Sequence, residues 1–307
     1  MLPGQPWKFD ATVRLGASVV VCAVFMSACA VALIQYFREP QNYNTVYLGA
    51  VGGATALLGV VLYLLRRGWS DQGMVRTFGT LLASFYVGLL LIWIAGRFGS
   101  EADPASVPNV WKIVVTLVCF QGATVWLIHH FLREQSTGWV EAFGLRNSSG
   151  RAIGLGVLAG LAAVPLMGVM HLLSARLLEL VGVPPSEQEA VQVLRAANTW
   201  MSRAVMGLTA IVFAPLAEEL LFRGVLYPFI KQLGFPRIAV WLTAILFGLI
   251  HGNLGVFVPL TFFAMVLIWL YERTGNLAAP VAAHVALNTA NFVMLFLLDP
   301  HSVVAPT

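Results

Sequence analysis

Long apolar stretches follow one another along most of the 307-residue chain. A helix needs about 20 apolar residues to cross the hydrocarbon core of a bilayer, and most of these stretches reach that length. Apolar and polar residues do not alternate within them, so the pattern predicts spanning helices rather than a barrel. The predicted spans are Val13–Phe37, Val46–Leu65, Phe78–Ala95, Trp111–Leu132, Ile153–Leu173, Ala204–Leu221, Ile238–Ile250, Leu254–Tyr271 and Ala278–Leu298.

The sequence therefore predicts an all-α protein, a polytopic transmembrane helix bundle of about eight or nine spans. The number depends on Ile238–Ile250, which is short for a complete crossing. Residues 182–202 contain Pro184-Pro185 and an amphipathic run, a pattern that indicates an interfacial connector. We divide the chain into N-terminal transmembrane helices of unassigned role (residues 1–181), this connector, a core (residues 203–300) and a tail (residues 301–307).

The composition also favours a membrane location. Hydrophobic residues make up 59% of the chain and charged residues 10%, with a mean hydropathy of +0.81. Soluble domains carry about 25% charged residues, so a surface that faces water throughout is excluded. The net charge of +4 is small and the basic residues stand in short loops, which argues against nucleic acid as a partner. We expect an integral membrane protein in contact with the lipid bilayer.

Basic residues accumulate in alternate loops between the predicted spans. One side collects Lys8, Arg66, Arg133 and Lys231, with further arginines in the same loops. On the opposite side the basic residues are partly offset by acidic ones. Because cytoplasmic loops carry an excess of Lys and Arg, we expect the N-terminus to be cytoplasmic, in a plasma membrane of the bacterial type.

Polar residues interrupt the apolar C-terminal third of the chain. A charge at the centre of a membrane helix costs about 2.5–3.5 kcal/mol on the insertion scale, so several charges in one region require a reason. The residues are Glu218, Glu219, Arg223, His251, His284 and Asn288.

The first group of polar residues stands at the end of the Ala204–Leu221 stretch. Glu219 and Arg223 are i,i+4 neighbours on a helix, in the order that favours an ion pair. Successive residues point about 100° apart, so Glu218 faces elsewhere and stays available. A carboxylate in an apolar cavity binds a proton more tightly, as a general base must. A purely structural Glu–Arg clamp is the alternative.

The other two groups lie on the following apolar segments. Phe247 precedes His251 by one turn on the same helix face, and His284 precedes Asn288 in the same way. A histidine and a carboxamide on one face offer two donors to one point in space, which suits an oxyanion hole or an ordered water. Singly, each could instead be a hydrogen-bonding group between helices.

Together these three motifs resemble those of the CPBP family, the CAAX-protease and bacteriocin-processing (Abi) intramembrane peptidases. The order is Glu-Glu-x-x-x-Arg, then Phe-x-x-x-His, then His-x-x-x-Asn, and every motif position is filled. The resemblance covers about residues 208–298 and makes residues 203–300 the expected catalytic core.

The resemblance implies an endopeptidase with its active site in a membrane-enclosed cavity, acting on a membrane-associated or lipid-modified peptide. Glu218 and His251 would activate the attacking water, and His284 and Asn288 would stabilise the oxyanion. Glu219, Arg223 and Phe247 would support them. The chain has no His-Glu-x-x-His zinc motif, so any metal site would have to be assembled across helices. The spacing decides for neither chemistry, and we favour a reaction without a cofactor.

Three alternatives remain open at this point. A divalent metal such as zinc could be held across helices by Glu218, His251 and His284. The chain could be a non-catalytic scaffold or regulatory protein that keeps the family fold. It could also be a transporter or channel, although the polar residues lack a matching set in the other half of the chain.

Overall fold

The computed structural model describes residues 7–16, 18–19, 110–146, 149–183, 188–195 and 200–298. All the regular secondary structure within these ranges is helical. The helices are α1 (residues 9–16), α2 (Val110–Glu134), α3 (Trp139–Ala142), α4 (Ser149–Leu180), α5 (Glu189–Arg195), α6, α7 (Pro236–Leu249), α8 (Leu254–Thr274) and α9 (Ala278–Leu298). The α6 run has five segments: Trp200–Leu208, Thr209–Phe213, Ala214–Glu219, Leu220–Leu226 and Tyr227–Gln232.

Four helices in the described part of the chain are long and apolar enough to cross a membrane. They are Ser149–Leu180, Arg203–Gln232, Leu254–Thr274 and Ala278–Phe296. The all-helical, membrane-spanning character predicted from the sequence is therefore confirmed. The total of eight or nine spans stays a prediction, because Val46–Leu65, Phe78–Ala95 and most of Val13–Phe37 lie outside the described residues.

The predicted span Ala204–Leu221 stops short of the observed helix, since α6 continues to Gln232. The helix can continue because Glu219 and Arg223 neutralise each other inside the protein. Ile238–Ile250 corresponds to α7, which is apolar but too short for a full crossing. The proposed division into helices, connector, core and tail stays a prediction.

The described residues form two compact units, which we treat separately. One contains Trp7 and the described parts of Gln135–Arg195 and Met206–Thr307, and it holds all the predicted site residues. The other contains the described parts of Lys8–Glu134 and Ala196–Val205. In this second unit Arg14 binds Asp10 at 2.6 Å and Glu134 at 3.2 Å. The Arg14 guanidinium lowers the pKa of Asp10 through their hydrogen bond.

Close packing of α4 against α9 organises the first unit. A Cβ atom added to Gly156 would lie 2.2 Å from the carbonyl oxygen of Ala279, and one added to Gly160 would lie 2.3 Å from that of Ala283. Small residues one turn apart allow such backbone approach in membranes. The core beside this contact includes Phe263 and Leu267 from α8. Helix α9, which carries His284 and Asn288, is thereby held directly against α4.

Polar side chains gather where α6 and α8 end. Glu272 accepts hydrogen bonds from Tyr227, at 2.7 Å, and from Lys231. Gln232 exchanges two hydrogen bonds with the backbone of Trp7, at 2.8 and 2.7 Å. Trp7 and the C-terminal end of α6 therefore lie at the same end of this unit.

Candidate active site

The first motif lies on α6 between two π-helical segments, Thr209–Phe213 and Leu220–Leu226. π-Helical turns are rare and occur frequently at functional sites. Arg223 Nη1 donates to Glu219 Oε1 at 2.8 Å, and the two side chains are 2% and 0% exposed. The ion pair expected from the i,i+4 spacing is confirmed. Removing one partner of such a buried pair typically costs about 3–5 kcal/mol, because the other charge is left uncompensated.

Arg223 is held by two further contacts from neighbouring helices. Its Nη2 donates to the backbone carbonyl of Ala264 at 3.2 Å. Its guanidinium carbon lies 4.5 Å from the centre of the Phe247 ring, a cation–π arrangement. These contacts join the first motif to α7 and α8. The role of Ala264 could not be predicted from the sequence, because it accepts the hydrogen bond through its backbone carbonyl, whose position depends on the fold and not on the side chain.

His284 joins the third motif to the first. Its Nδ1 lies 3.0 Å from Glu219 Oε1, the same oxygen that accepts from Arg223. With the carboxylate accepting, Nδ1 carries the proton and Nε2 faces the other way. Nε2 lies 3.9 Å from Glu218 Oε2. This separation is too long for a direct hydrogen bond and suits a bridging water.

The two glutamates differ in exposure as well as in partners. The Glu219 side chain is fully buried, whereas that of Glu218 is 27% exposed. Glu219 binds Arg223 and His284, whereas Glu218 approaches the far side of the His284 ring. The site can therefore present one carboxylate to a reactant while the other holds neighbouring groups in place.

Phe247 lies at the centre of the site. Its ring centre is 5.0 Å from that of His251 and 5.7 Å from that of His284. Phe263 contacts the same His284 ring in an edge arrangement at 5.7 Å. Aromatic pairs of this geometry contribute about 0.5–1.5 kcal/mol beyond their buried area. The contact of Phe263 was not predicted, because no feature of the sequence distinguishes Phe263 from the other apolar residues of α8.

His251 stands in the turn that follows α7. Its Nδ1 lies 2.7 Å from the carbonyl oxygen of Phe247. A carbonyl oxygen only accepts, so Nδ1 carries the proton and Nε2 is the basic nitrogen of the neutral ring. Asn253, two residues later, caps α8 by accepting from Gly255 and Val256 at 2.9 and 3.3 Å. His171 of α4 lies 3.2 Å from the Gly255 carbonyl oxygen.

Asn288 contacts α6 through its amide. Nδ2 donates to the carbonyl oxygen of Ala210 at 2.8 Å, so one of its two amide protons is engaged by the helix that carries Glu218. Glu218, Glu219, Arg223, Phe247 and His284 lie within one network, to which His251 is joined through Phe247. Asn288 is joined to the helix of that network through Ala210.

Structural and catalytic zinc sites take at least three protein ligands. Among the described residues, no group of three histidine, cysteine, aspartate or glutamate side chains could hold a metal ion. Glu218 Oε2 and His284 Nε2 supply a facing pair.

Comparisons with known proteins agree with the motifs. The profile of the Rce1-like family, type II CAAX prenyl endopeptidases, matches residues 199–290. YdiL of Bacillus subtilis (strain 168), a protein provisionally described as a membrane peptidase, is 20% identical over 234 residues, covering 74% of this chain and 88% of YdiL. The resemblance to the CPBP family predicted from the motifs is confirmed for residues 199–290. This matched region contains every predicted site residue, and the comparisons support a membrane peptidase. No solved structure matches the chain.

Proposed function

We propose that this protein is an intramembrane endopeptidase that uses a water activated by Glu218 and His251, without a metal. The observation that carries the proposal is the pair formed by Glu218 Oε2 and His284 Nε2, 3.9 Å apart, beside a fully buried Glu219–Arg223 ion pair. Buried charges are costly at membrane depth, and structural support alone would not require the second, partly exposed carboxylate.

In the proposed reaction Glu218 takes a proton from the water while the water oxygen attacks the peptide carbonyl carbon. His251 orients the water through Nε2, since its Nδ1 proton is engaged by Phe247. The carbonyl oxygen becomes an oxyanion, which accepts hydrogen bonds from the second amide proton of Asn288 and from Nε2 of His284 as an imidazolium, whose Nδ1 proton stays hydrogen-bonded to Glu219. When the tetrahedral intermediate collapses, the C–N bond breaks and Glu218 returns its proton to the leaving amine.

Glu219 and Arg223 support this reaction without contacting the substrate. Glu219 Oε1 holds Nδ1 of His284, which fixes the direction of Nε2. Arg223 neutralises Glu219 and is itself fixed by Ala264 and Phe247. Preorganised donors of this kind are among the largest contributions to catalysis, because they do not reorganise during the reaction.

The proposed substrate is a membrane-associated peptide, with a lipid-modified C-terminus as the specific candidate. The matching family is described as CAAX prenyl endopeptidases. We place the N-terminus in the cytoplasm of a bacterial-type cell. Trp7 lies at one end of the first unit, and the basic residues Lys231, Arg237 and Arg273 lie at the same end. An excess of basic residues is typical of the cytoplasmic side, which supports this orientation.

The proposal is tested with quenched fluorescent peptides in proteoliposomes, one ending in a farnesylated CAAX sequence and one unmodified. We expect Glu218→Gln, His251→Ala and His284→Ala each to lower kcat by about 100-fold or more, the scale of general acid–base catalysis. Glu141→Gln, at an exposed position of helix α3, is the control and should keep native activity.

Unchanged cleavage in all three variants would overturn the proposal. If the native chain cleaves neither peptide but the variants abolish assembly with a partner, the scaffold function is correct instead. Solute or ion flux that depends on Glu218 would indicate the transporter.

A further inference from the structure

Helix α6 changes its hydrogen-bond register immediately before Pro215. The N–H of Ala214 donates to the carbonyl of Thr209, five residues earlier. In the same register the next carbonyl, that of Ala210, would pair with the nitrogen of Pro215, and proline has no N–H. The α-helical donor for Ala210 is Ala214, whose N–H already serves Thr209. Ala210 therefore has neither its α-helical nor its π-helical backbone donor.

The side chain of Asn288 supplies that missing hydrogen bond. Its Nδ2 donates to the Ala210 carbonyl oxygen at 2.8 Å. The two helices are in close contact here, since a Cβ atom added to Gly207 would lie 2.7 Å from Cζ of Phe292. His284 stands one turn before Asn288 on the same face of α9. The bond thus ties the helix with His284 to the helix with the two glutamates.

The register at Pro215 also sets the direction of those glutamates. A π-helical turn contains one residue more than an α-helical turn, which rotates the following side chains by about 100°. Glu218 and Glu219 follow Pro215 by three and four positions. In this register Glu219 is fully buried against His284, and Glu218 stays partly exposed. Loss of the π-helical turn would turn both carboxylates away from these positions.

We propose that Pro215 and Asn288 act together as positioning residues: Pro215 leaves the Ala210 carbonyl to the Asn288 amide, and that bond fixes the rotation of Glu218 and Glu219 relative to His284. The catalytic consequence rests on the proposed peptidase function, whereas the linkage between the two residues does not. Asn288 has two amide protons, so this role is compatible with oxyanion stabilisation by the second one.

The linkage is tested by a double-mutant cycle of Pro215→Ala and Asn288→Leu, with Tm measured in detergent and cleavage measured on the two peptides. Asn288→Leu leaves the Ala210 carbonyl without its donor in an apolar helix, so we expect Tm to fall by about 2–4 °C. Pro215→Ala provides an N–H for Ala210. In that background Asn288→Leu should lower Tm by less than half as much, because the helix satisfies the carbonyl itself.

Activity supplies the second readout. Pro215→Ala should lower kcat by about 100-fold, as loss of the Glu218 carboxylate does, with KM nearly unchanged, because the glutamates turn while the substrate-binding surface is retained. Pro228→Ala is the matched control. Pro228 follows the second π-helical segment as Pro215 follows the first. There the Tyr227 N–H donates to the carbonyl of Phe222. The carbonyl that loses its π-helical donor to Pro228 is that of Arg223, which is not the carbonyl that Asn288 binds. Pro228→Ala should show no coupling to Asn288→Leu.

Equal Tm losses from Asn288→Leu in the native and Pro215→Ala backgrounds would overturn the linkage, as would equal coupling with Pro228→Ala. An unchanged kcat in Pro215→Ala would overturn the positioning role. Coupling in Tm without cleavage of either peptide by the native chain would support the linkage and contradict the proposed function. Cleavage by the native chain without coupling in Tm would support the proposed function and contradict the linkage.

Discussion

Glu219 Oε1 lies 3.0 Å from His284 Nδ1, although the two residues are 65 positions apart in the sequence. The same oxygen accepts from Arg223 at 2.8 Å. One buried oxygen therefore neutralises the arginine and orients the histidine. The sequence assigned Glu219 only a supporting pair with Arg223, and the structure adds a direct bond to a proposed catalytic group. Predictions about Glu219 consequently concern both stability and activity.

Glu219→Gln should be destabilising and should also reduce cleavage. A neutral amide leaves the Arg223 charge buried without compensation, which typically costs about 3–5 kcal/mol. His284 loses its ionised acceptor at the same time, so we expect kcat to fall by about tenfold or more. Thermal unfolding in detergent and cleavage of the fluorescent peptides measure the two effects. Native stability in Glu219→Gln would contradict the role of the ion pair.

Gly160→Leu should displace α9 and with it His284. A Cβ atom at residue 160 would lie 2.3 Å from the Ala283 carbonyl oxygen, beside His284 in the sequence. Overpacking of this kind costs about 1–3 kcal/mol, and a shift of about 1 Å at the site can lower the rate about 100-fold. Tm and kcat report the two consequences. The control is Gly154→Leu on the same helix, where a Cβ atom meets nothing within 4 Å; similar losses in both variants would count against the close contact.

Asn253→Ala should loosen the turn that carries His251. Asn253 Oδ1 caps α8, and replacing such a cap by alanine costs about 1 kcal/mol. We expect faster amide hydrogen exchange at Gly255 and Val256, with a moderate loss of kcat. Asn253→Asp keeps the acceptor oxygen and should exchange at nearly the native rate. Native exchange in Asn253→Ala would mean that other contacts, such as that of His171 with Gly255, hold the turn alone.

Metal removal distinguishes water activation by Glu218 alone from a reaction in which Glu218 binds a metal ion. In a reaction without a metal, cleavage should persist after treatment with 1,10-phenanthroline followed by dialysis. Elemental analysis of the active protein should then find far less than one zinc ion per chain. Activity that is lost on chelation and restored by added zinc would establish the metal alternative, with Glu218 and His284 as the first ligands to test.

Much of the site followed from local spacing. The apolar runs predicted spanning helices, and α4, α8 and α9 lie close to where the sequence placed them. The Glu219–Arg223 pair followed from the i,i+4 rule, because neighbours on one helix meet whatever surrounds that helix. The continuation of α6 to Gln232 was not predicted, because charged residues in a sequence indicate the end of a span unless their partners are known.

By itself, the sequence determined the membrane environment, the helical class and which polar residues share a helix face, because hydropathy and helical periodicity are local properties. Only the tertiary structure decided that His284 binds Glu219, that Phe247 lies between two histidines and that Asn288 binds Ala210. These contacts depend on close approach of separate helices, and that of Asn288 with Ala210 also depends on the change of backbone register before Pro215. Neither property is encoded by the spacing of side chains along one segment.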